Sequence, residues 1–344
     1  MFGTLRTLLA LNVVLLHIFN IPNLGNSSVS VFFLLSGFLM TLIMKEKYNY
    51  NLSGFKFFWI NRILRLYPIY YVIIILTVIL LILFPEARTH PKSYLPNSFS
   101  EWIPNLTLIY PDFFPYRFTP RLSTPTWALT NELFFYFLIS LGISKTPKRT
   151  ILWLLISIGY FILTYHYFNL PKYRYGAIFA ASLPFAMGST LYWFIKKHPI
   201  KFNSIYPGII IYMTFIANSI LSSSFNSGFK EISIYINLLL GLIMVYYFFN
   251  LKLNFHFKKY DDYLGNYSYP IYISHYAALI IYQFTFGFGL IKNSFKLEFS
   301  ALIPYFFVLI SLSFLVVHFI DKKVVRLKKN LKPRVQNTTL NKKH

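Results

Sequence analysis

Long apolar runs alternate with short polar or basic segments along almost the whole chain. A membrane-spanning helix needs about 20 mostly apolar residues, and ten runs approach that length. Several contain Gly, Pro, Ser or Asn, which the interior of a membrane helix bundle tolerates. The pattern predicts an all-α integral membrane protein with ten transmembrane helices, at approximately 3–21, 28–44, 67–84, 127–143, 150–168, 176–195, 207–222, 232–250, 267–291 and 299–320.

The polar segments between these runs differ in basic charge, which predicts the orientation. If the N-terminus is cytoplasmic, the cytoplasmic segments hold 23 Lys and Arg residues and the outer loops hold 9. Cytoplasmic loops of membrane proteins carry the excess of Lys and Arg. Ten spans with both termini in the cytoplasm satisfy this rule. The first span has neither a basic stretch before it nor a small-x-small site after it, so we expect it to be retained rather than cleaved as a signal peptide.

Three segments outside the spans have patterns of their own. Residues 51–66 place apolar and basic side chains on different faces, which predicts an amphipathic helix on the cytoplasmic surface. Residues 85–126 form a long outer loop with eight prolines, and loops of this length are often functional. We expect residues 1–322 to form one membrane domain, and the basic segment 323–344 to be a cytoplasmic tail that can rest on anionic lipid.

Composition agrees with a membrane protein and excludes several kinds of site. The chain is 56% hydrophobic and 12% charged, whereas soluble domains have about 25% charged residues. It has no cysteine, which excludes disulfides, thiolate zinc sites and cysteine nucleophiles. The net charge of +23 follows from the basic cytoplasmic segments. The pattern shows no basic soluble domain with interleaved aromatic residues, so nucleic-acid binding is not expected.

The first span contains two ionisable side chains, Arg6 and His17. Such groups are costly in a bilayer and indicate a functional site by default. Eleven residues apart, they lie on one helix face at a separation of about 16 Å along the axis. We interpret them as two depths of one cavity wall. The alternative is that Arg6 extends to the cytoplasmic surface and His17 is a structural, hydrogen-bonded residue.

Glu132 is the only carboxylate inside the ten predicted spans, and Tyr136 lies one turn away on the same face. Counting from the ends of the spans places Glu132 at a depth similar to that of His17. A pair between them would lower the cost of burying each, so we expect His17 and Glu132 to interact. The alternative is that Glu132 is a structural polar clamp.

Three weaker motifs complete the set of candidate residues. Arg62 and Arg65 share a helix face at the cytoplasmic boundary, where paired guanidinium groups suit phosphate or simply anchor the helix. Ser36 lies mid-span beside a glycine, which is also typical of close helix packing. Tyr272 and His275 occupy positions i and i+3 of the ninth span. With so few carboxylates and no HExxH or EF-hand pattern, no metal site is expected.

The order of these motifs resembles that of the acyltransferase-3 family of integral membrane acyltransferases. The motifs are Arg-x10-His in the first span, FFLLSGF, RILRLYP, TWALTNELFFY and SYPIYISH. The chain departs from the family pattern at Thr7, Ala128 and Ser274, where the family usually has Gly, Ser and Trp.

The resemblance implies transfer of an acetyl or other small acyl group from cytoplasmic acyl-CoA, usually acetyl-CoA, to a hydroxyl of a cell-envelope glycan. It implies a multi-pass protein of the bacterial cytoplasmic membrane, and it leaves open association with polysaccharide-assembly proteins. His17 would act as general base or acyl carrier, oriented by Glu132, and the glycan would enter under the Pro-rich loop. Three arginines would hold the CoA phosphates: Arg6, Arg62 and Arg65. Four further residues would line the cavity: Ser36, Tyr136, Tyr272 and His275.

Two other functions are alternatives to acyl transfer. A transporter or flippase for lipid-linked sugars would also place isolated charges in a membrane bundle. A non-enzymatic component of a polysaccharide-assembly complex is a third hypothesis, but it gives no purpose to ionisable groups within the spans.

Overall fold

The structure is a computed structural model that describes residues 1–168, 172–225, 227–321 and 323–324. In these ranges the regular elements are helices, accompanied by two isolated β-bridges. All but the first two residues of the predicted tail 323–344 lie outside the described residues. The α-helices are α1 Phe2–Phe19, α2 Leu24–Glu46, α3 Leu52–Leu83, α4 Phe99–Thr107, α5 Trp127–Ser140, α6 Pro147–Tyr167, α7 Lys172–Tyr175, α8 Ser182–Lys197, α9 Tyr206–Leu221, α10 Ser227–Asn250, α11 Phe255–Gly265, α12 Ser268–Thr285 and α13 Leu302–Val316.

A helix is present at each of the ten predicted spans. Within the described residues, eight helical stretches are long and apolar enough to cross a membrane, which makes this an all-helical, multi-pass protein. The two that fall short of this criterion are α5, with 14 residues, and α12, with 18. At 1.5 Å per residue α5 is only about 21 Å long. The count of ten spans and the cytoplasmic location of both termini therefore stay predictions.

The segment 51–66 is helical, as expected, but it is not a separate helix. It is the first half of α3, which continues for 32 residues through Pro68. Asn51 caps the helix by accepting a hydrogen bond from the Gly54 N–H at 2.6 Å. A proline inside a membrane helix is tolerated when neighbouring groups satisfy the freed carbonyl. The consequence is that Arg62 and Arg65 stand on the same continuous helix as the third span.

Helix α2 occupies the centre of the bundle, in contact with α1, α5, α8 and α10. Two glycines let it cross α8 at close range. A Cβ atom on Gly37 would lie 2.1 Å from the Phe185 carbonyl oxygen, and one on Gly188 would lie 1.9 Å from that of Leu34. Small residues allow membrane helices to approach in this way. The crossing fixes the position of Ser36, the neighbour of Gly37.

Helix α1 is fixed at both ends. At its start, the Asp261 carboxylate accepts hydrogen bonds from the backbone N–H groups of Gly3 and Thr4, at 3.0 and 2.7 Å. At its end, Lys296 Nζ donates to the carbonyl oxygens of Leu16 and His17, at 3.2 and 2.5 Å. An acid at the first turn and a cation at the last both complement the helix dipole. The helix that carries Arg6 and His17 is therefore held in place along its length.

The Pro-rich segment 85–126 forms an ordered cap over one end of the bundle. Its centre is the buried guanidinium of Arg121, which donates to the carbonyl oxygens of Tyr116, Thr124 and Phe118 at 2.5, 2.9 and 3.1 Å. The Ser123 hydroxyl donates to the Ile273 carbonyl of α12 at 2.8 Å. The cap is thus tied to the helix that carries Tyr272 and His275. We call this the cap end, and the opposite end, where α1 begins, the N-terminal end.

Candidate active site

Two cavities at different depths bring the candidate residues together. One, of about 600 Å³, opens at the cap end, and His17 lines it; we call it the histidine cavity. The other, of about 100 Å³, lies toward the N-terminal end and is the arginine cavity. Seven predicted residues line the arginine cavity: Arg6, Arg62, Arg65, Ser36, Glu132, Tyr136 and Tyr272. Val29 and Tyr272 line both cavities, so the two spaces adjoin at these side chains.

His17 lies in the last turn of α1, with its Nδ1 atom 3.0 Å from Nε2 of His275. Nδ1 of His275 lies 2.8 Å from the Tyr272 carbonyl oxygen. A carbonyl only accepts, so in a neutral His275 ring Nδ1 carries the hydrogen and Nε2 is the acceptor. His17 therefore donates from Nδ1. Its own Nε2 keeps a lone pair, which is the arrangement that a general base requires.

Glu132 does not pair with His17, contrary to the expectation from the sequence. Its carboxylate accepts hydrogen bonds from the Ser36 hydroxyl at 3.1 Å and from the Tyr136 hydroxyl at 2.8 Å. Those two hydroxyls are themselves 3.2 Å apart. Ser36 is twelve residues into α2, or about 18 Å, whereas His17 is at the very end of α1. Counting from span ends failed because it took the start of α5, Trp127, as the membrane surface, whereas α5 follows directly on the cap segment 85–126.

The three arginines of the arginine cavity have few partners within the protein. Arg6 Nε donates to the Phe2 carbonyl at 3.2 Å, whereas Arg62 Nε is buried and has no hydrogen-bond partner among the described residues. No ion pair to Arg6, Arg62 or Arg65 occurs in the described ranges, and Glu132 is the one carboxylate on the cavity wall. A surplus of partly buried guanidinium groups with unused donors fits an anionic ligand such as phosphate.

Sequence reasoning missed three further residues of the histidine cavity: His90, Arg121 and Lys296. Burial, together with the nearby Arg121 charge, lowers the pKa of His90 to about 4, so this imidazole is neutral at pH 7. Burial also lowers the pKa of Lys296 to about 8. A signal was available in the sequence. Outer loops should be poor in basic residues, yet these contain nine, and six of those line this one cavity.

The remaining candidates connect the two cavities to the helices around them. The Tyr272 hydroxyl donates to the Pro125 carbonyl of the cap at 2.9 Å. The Tyr276 ring stacks beside His17, with ring centres 5.8 Å apart. His275 is fully buried behind the wall of the histidine cavity, where it contacts the lining residues His17 and Tyr276. In the described residues, no group of three or more His, Cys, Asp or Glu side chains is arranged to hold a metal ion.

The arginine cavity and the histidine cavity thus adjoin within one bundle of apolar helices. The family model described as "Acyltransferase domain" matches residues 2–320. The chain belongs to the acyltransferase-3 family. This confirms the resemblance in motif order, and it covers nearly the whole chain.

Individual relatives within the family are more distant. A part of the chain is 32% identical over 136 residues to YrhL of Bacillus subtilis (strain 168), provisionally named a peptidoglycan O-acetyltransferase; the match covers 38% of the chain and 22% of YrhL. The chain is also 32% identical over 155 residues to the peptidoglycan O-acetyltransferase OatA of Listeria monocytogenes, and this match covers 42% of the chain and 25% of OatA. It is 30% identical over 145 residues to the acyltransferase MdmB of Streptomyces mycarofaciens, and this match covers 40% of the chain and 34% of MdmB.

The matched segments thus span between about a fifth and a third of these relatives' own lengths. No solved structure matches the chain.

Proposed function

We propose that the protein is a membrane O-acyltransferase. It moves an acetyl or other small acyl group from acyl-CoA to a hydroxyl of a cell-envelope glycan, either a polysaccharide or a lipid-linked precursor. The observation that carries the proposal is the pair of adjoining cavities. One has unpaired arginines suited to an anionic donor, and the other has a histidine whose Nε2 is free to take a proton.

The donor binds in the arginine cavity. Arg62 and Arg65, with Arg6 opposite them, bind the phosphates of CoA, since guanidinium groups make paired, charge-assisted hydrogen bonds to phosphate oxygens. The buried, unpartnered Nε of Arg62 supports this assignment because an unmet donor at that site costs free energy until a ligand binds. The thioester end of the pantetheine arm extends past Val29 and Tyr272 to His17.

His17 carries out the proton transfer. Its Nε2 takes the proton of the acceptor hydroxyl while that oxygen attacks the thioester carbonyl carbon. The C–S bond then breaks, an ester forms, and the imidazolium gives its proton to the departing CoA sulfur. If Nε2 instead attacks the carbonyl, the same lone pair makes His17 an acyl carrier. His275 is a positioning residue that fixes the tautomer and ring orientation of His17, the part that the sequence had assigned to Glu132.

Glu132 acts at the junction instead. It holds the hydroxyls of Ser36 and Tyr136 and offsets part of the arginine charge. These hydroxyls are polar partners for the carbonyl and amide groups of the donor arm. Glu132 therefore serves donor placement, and its loss should be felt in donor binding.

The proposal includes a location and an orientation. The N-terminal end faces the cytoplasm, where acyl-CoA is available, and the cap end faces outward in a bacterial cytoplasmic membrane. The excess of basic residues at the N-terminal end supports this orientation. Donor and acceptor then approach from opposite sides of the bilayer. Any partner among the polysaccharide-assembly proteins would meet the cap end, where the acceptor enters.

Purified protein with radiolabelled acetyl-CoA tests the function directly. We expect the label to move to an envelope glycan fraction, and we expect the His17→Ala variant to bind acetyl-CoA without transferring the label. Mass spectrometry of the glycans from a deletion strain should show loss of the acetyl increment. A flippase for lipid-linked sugars would neither bind nor consume acetyl-CoA, so that result would favour the transport hypothesis.

A further inference from the structure

The histidine cavity is strongly cationic. Six Lys and Arg side chains line it: Lys92, Arg121, Lys172, Arg174, Lys230 and Lys296. The one carboxylate on its wall is Glu231, which forms an ion pair with Arg174 and accepts from its Nη2 at 3.0 Å. That pair is neutral overall. The five other basic side chains have no carboxylate on the described cavity wall to balance them.

The hydrogen bonds inside the cavity do not remove this excess. Lys92 Nζ donates to the Tyr116 carbonyl at 2.6 Å, and Lys296 and Arg121 also donate to backbone carbonyls. A carbonyl satisfies a donor but carries no net charge. Each ammonium has three hydrogens, so Lys92 retains donors for a ligand. His90 is neutral at pH 7 and adds no charge.

The same wall carries aromatic rings, including Tyr116, Trp127, Tyr235 and Tyr276. Aromatic faces are apolar surfaces with a weakly negative centre, suited to the C–H face of a sugar ring. The volume of about 600 Å³ lies within the range of small-molecule sites. A cavity with aromatic faces and unbalanced cations combines two features, one for a sugar ring and one for an anion.

We propose that the acceptor is an anionic glycan, held in the histidine cavity through a carboxylate or phosphate on or beside the sugar that is acylated. Lys172 and Lys230 meet the charged group nearer the rim, Lys296 meets it beside His17, and Lys92 meets it beside His90. That the bound glycan is the acceptor rests on the proposed acyl transfer. The charge preference itself is a property of the cavity and can be measured without turnover.

The test is equilibrium binding to the purified full-length protein. The probes are an oligosaccharide of uronic acids, the same oligosaccharide with its carboxyl groups reduced to alcohols, and a phosphodiester-linked glycan. We expect the carboxylate or the phosphodiester form to bind about tenfold tighter than the reduced form at low salt, and the difference to shrink as salt is raised. Comparing the two charged probes distinguishes a uronic acid or similar carboxylate from a phosphate source.

Substitutions locate the binding. Lys172→Gln and Lys230→Gln should each weaken binding of the preferred charged probe by about two- to fivefold, the usual range for a partly exposed charge pair. The matched control is Lys292→Gln, since Lys292 is exposed in the same loop as Lys296 but lies outside the cavity. This control should leave the binding constant unchanged.

Two outcomes would overturn the inference: equal affinity for charged and reduced glycans, or an equal loss in the Lys292→Gln control. The second would mean non-specific attraction to a basic surface. Acetyl transfer is measured separately. Lysine-dependent binding of the charged glycan without any transfer would contradict the proposed function and leave the charge preference standing. Transfer to charged and reduced glycans with equal kcat/KM and equal affinity would contradict the charge preference and leave the proposed function standing.

Discussion

His17 and His275 are joined through their ring nitrogens across α1 and α12, with 3.0 Å between Nδ1 of the first and Nε2 of the second. The backbone carbonyl of Tyr272 sets the direction of this bond, because it can only accept a hydrogen from His275. The chain thus orients its candidate base with a second imidazole rather than with a carboxylate. A neutral imidazole, unlike a carboxylate, does not offset the positive charge of the cavity wall.

Substitution of the two histidines should separate their roles. His17→Ala should lower kcat by at least about 100-fold, because a general base contributes that much or more. His275→Ala should lower kcat by about 100-fold with little change in KM, because the His17 ring loses its orientation. His275→Gln should recover part of the rate, since an amide oxygen accepts the same hydrogen bond. The measurement is acetyl transfer per mole of purified protein.

His166→Ala is the matched control for these variants. His166 is exposed at the end of α6 and lines neither cavity. Its removal should leave both kcat and KM unchanged. If His275→Ala raised KM as strongly as it lowered kcat, His275 would be part of substrate binding instead of a positioning residue.

The arginine cavity should govern donor affinity. Arg62→Gln and Arg65→Gln should each weaken acetyl-CoA binding by about 10- to 100-fold, because each removes charged hydrogen bonds worth about 1.5–3 kcal/mol. Calorimetric titration of the purified variants with acetyl-CoA measures the change. Arg149→Gln is the control at the same end of the bundle, exposed and outside both cavities. Unaltered affinity in both cavity variants would remove the arginines from the donor site.

Val29 should control passage between the cavities. Val29→Phe adds a ring where the two spaces adjoin, so we expect acetyl-CoA to bind normally while transfer falls about tenfold or more through misplacement of the thioester. Val29→Ala leaves the junction open and should retain transfer. Binding and turnover are measured on the same preparations. Full transfer by Val29→Phe would show that the acyl group takes another route.

Binding of a charged glycan should depend on pH through Lys296. An anion favours the protonated amine, so binding is strongest below the pKa of about 8 and weakens as the pH rises through that value. Lys296→Arg keeps its charge above pH 8 and should remove this step from the titration. A step of equal size in the arginine variant would assign it to another group. The ionisable or charged groups that face Lys296 are His17, His90, Lys92, Arg121 and His275.

The α2–α8 crossing should be intolerant of added atoms. Gly37→Ala places a methyl group 2.1 Å from the Phe185 carbonyl oxygen, so the helices must separate and the protein should lose thermal stability and transfer activity together. Gly159→Ala is the matched control, because no atom lies within 4 Å of its added methyl group. That variant should be slightly more stable, by about 0.5–1 kcal/mol, since alanine favours a helix over glycine. Thermal unfolding in detergent measures both.

The sequence was sufficient for what depends on local pattern. Apolar runs placed a helix at every predicted span, and the rarity of charge inside spans identified Arg6, His17 and Glu132 as unusual. The RILR motif named the two arginines that the structure places with Arg6 in one cavity. Such residues can be recognised from the sequence because the bilayer penalises each ionisable side chain wherever its neighbours lie.

What failed depended on contacts between distant segments. His17 and His275 are 258 positions apart, and nothing in either helix specifies the other. Depth counting gave Glu132 as the partner because it assumed that every span begins at the membrane surface. The cap formed by 85–126 breaks that assumption, since α5 follows directly on it. The cap's buried centre, Arg121, was missed for a different reason: its partners are backbone carbonyls of the same loop, which leave no pattern of residue types in the sequence.

Two cavities that adjoin inside a bilayer create a permeability problem as well as a route for an acyl group. The partition between them is formed by Val29 and Tyr272, which are 5% and 8% exposed. Because the Tyr272 hydroxyl donates to the Pro125 carbonyl, the cap that covers the histidine cavity also holds one side of this partition in place. If acyl transfer proceeds as proposed, these two side chains have to admit the thioester arm and otherwise limit the passage of protons between the cavities.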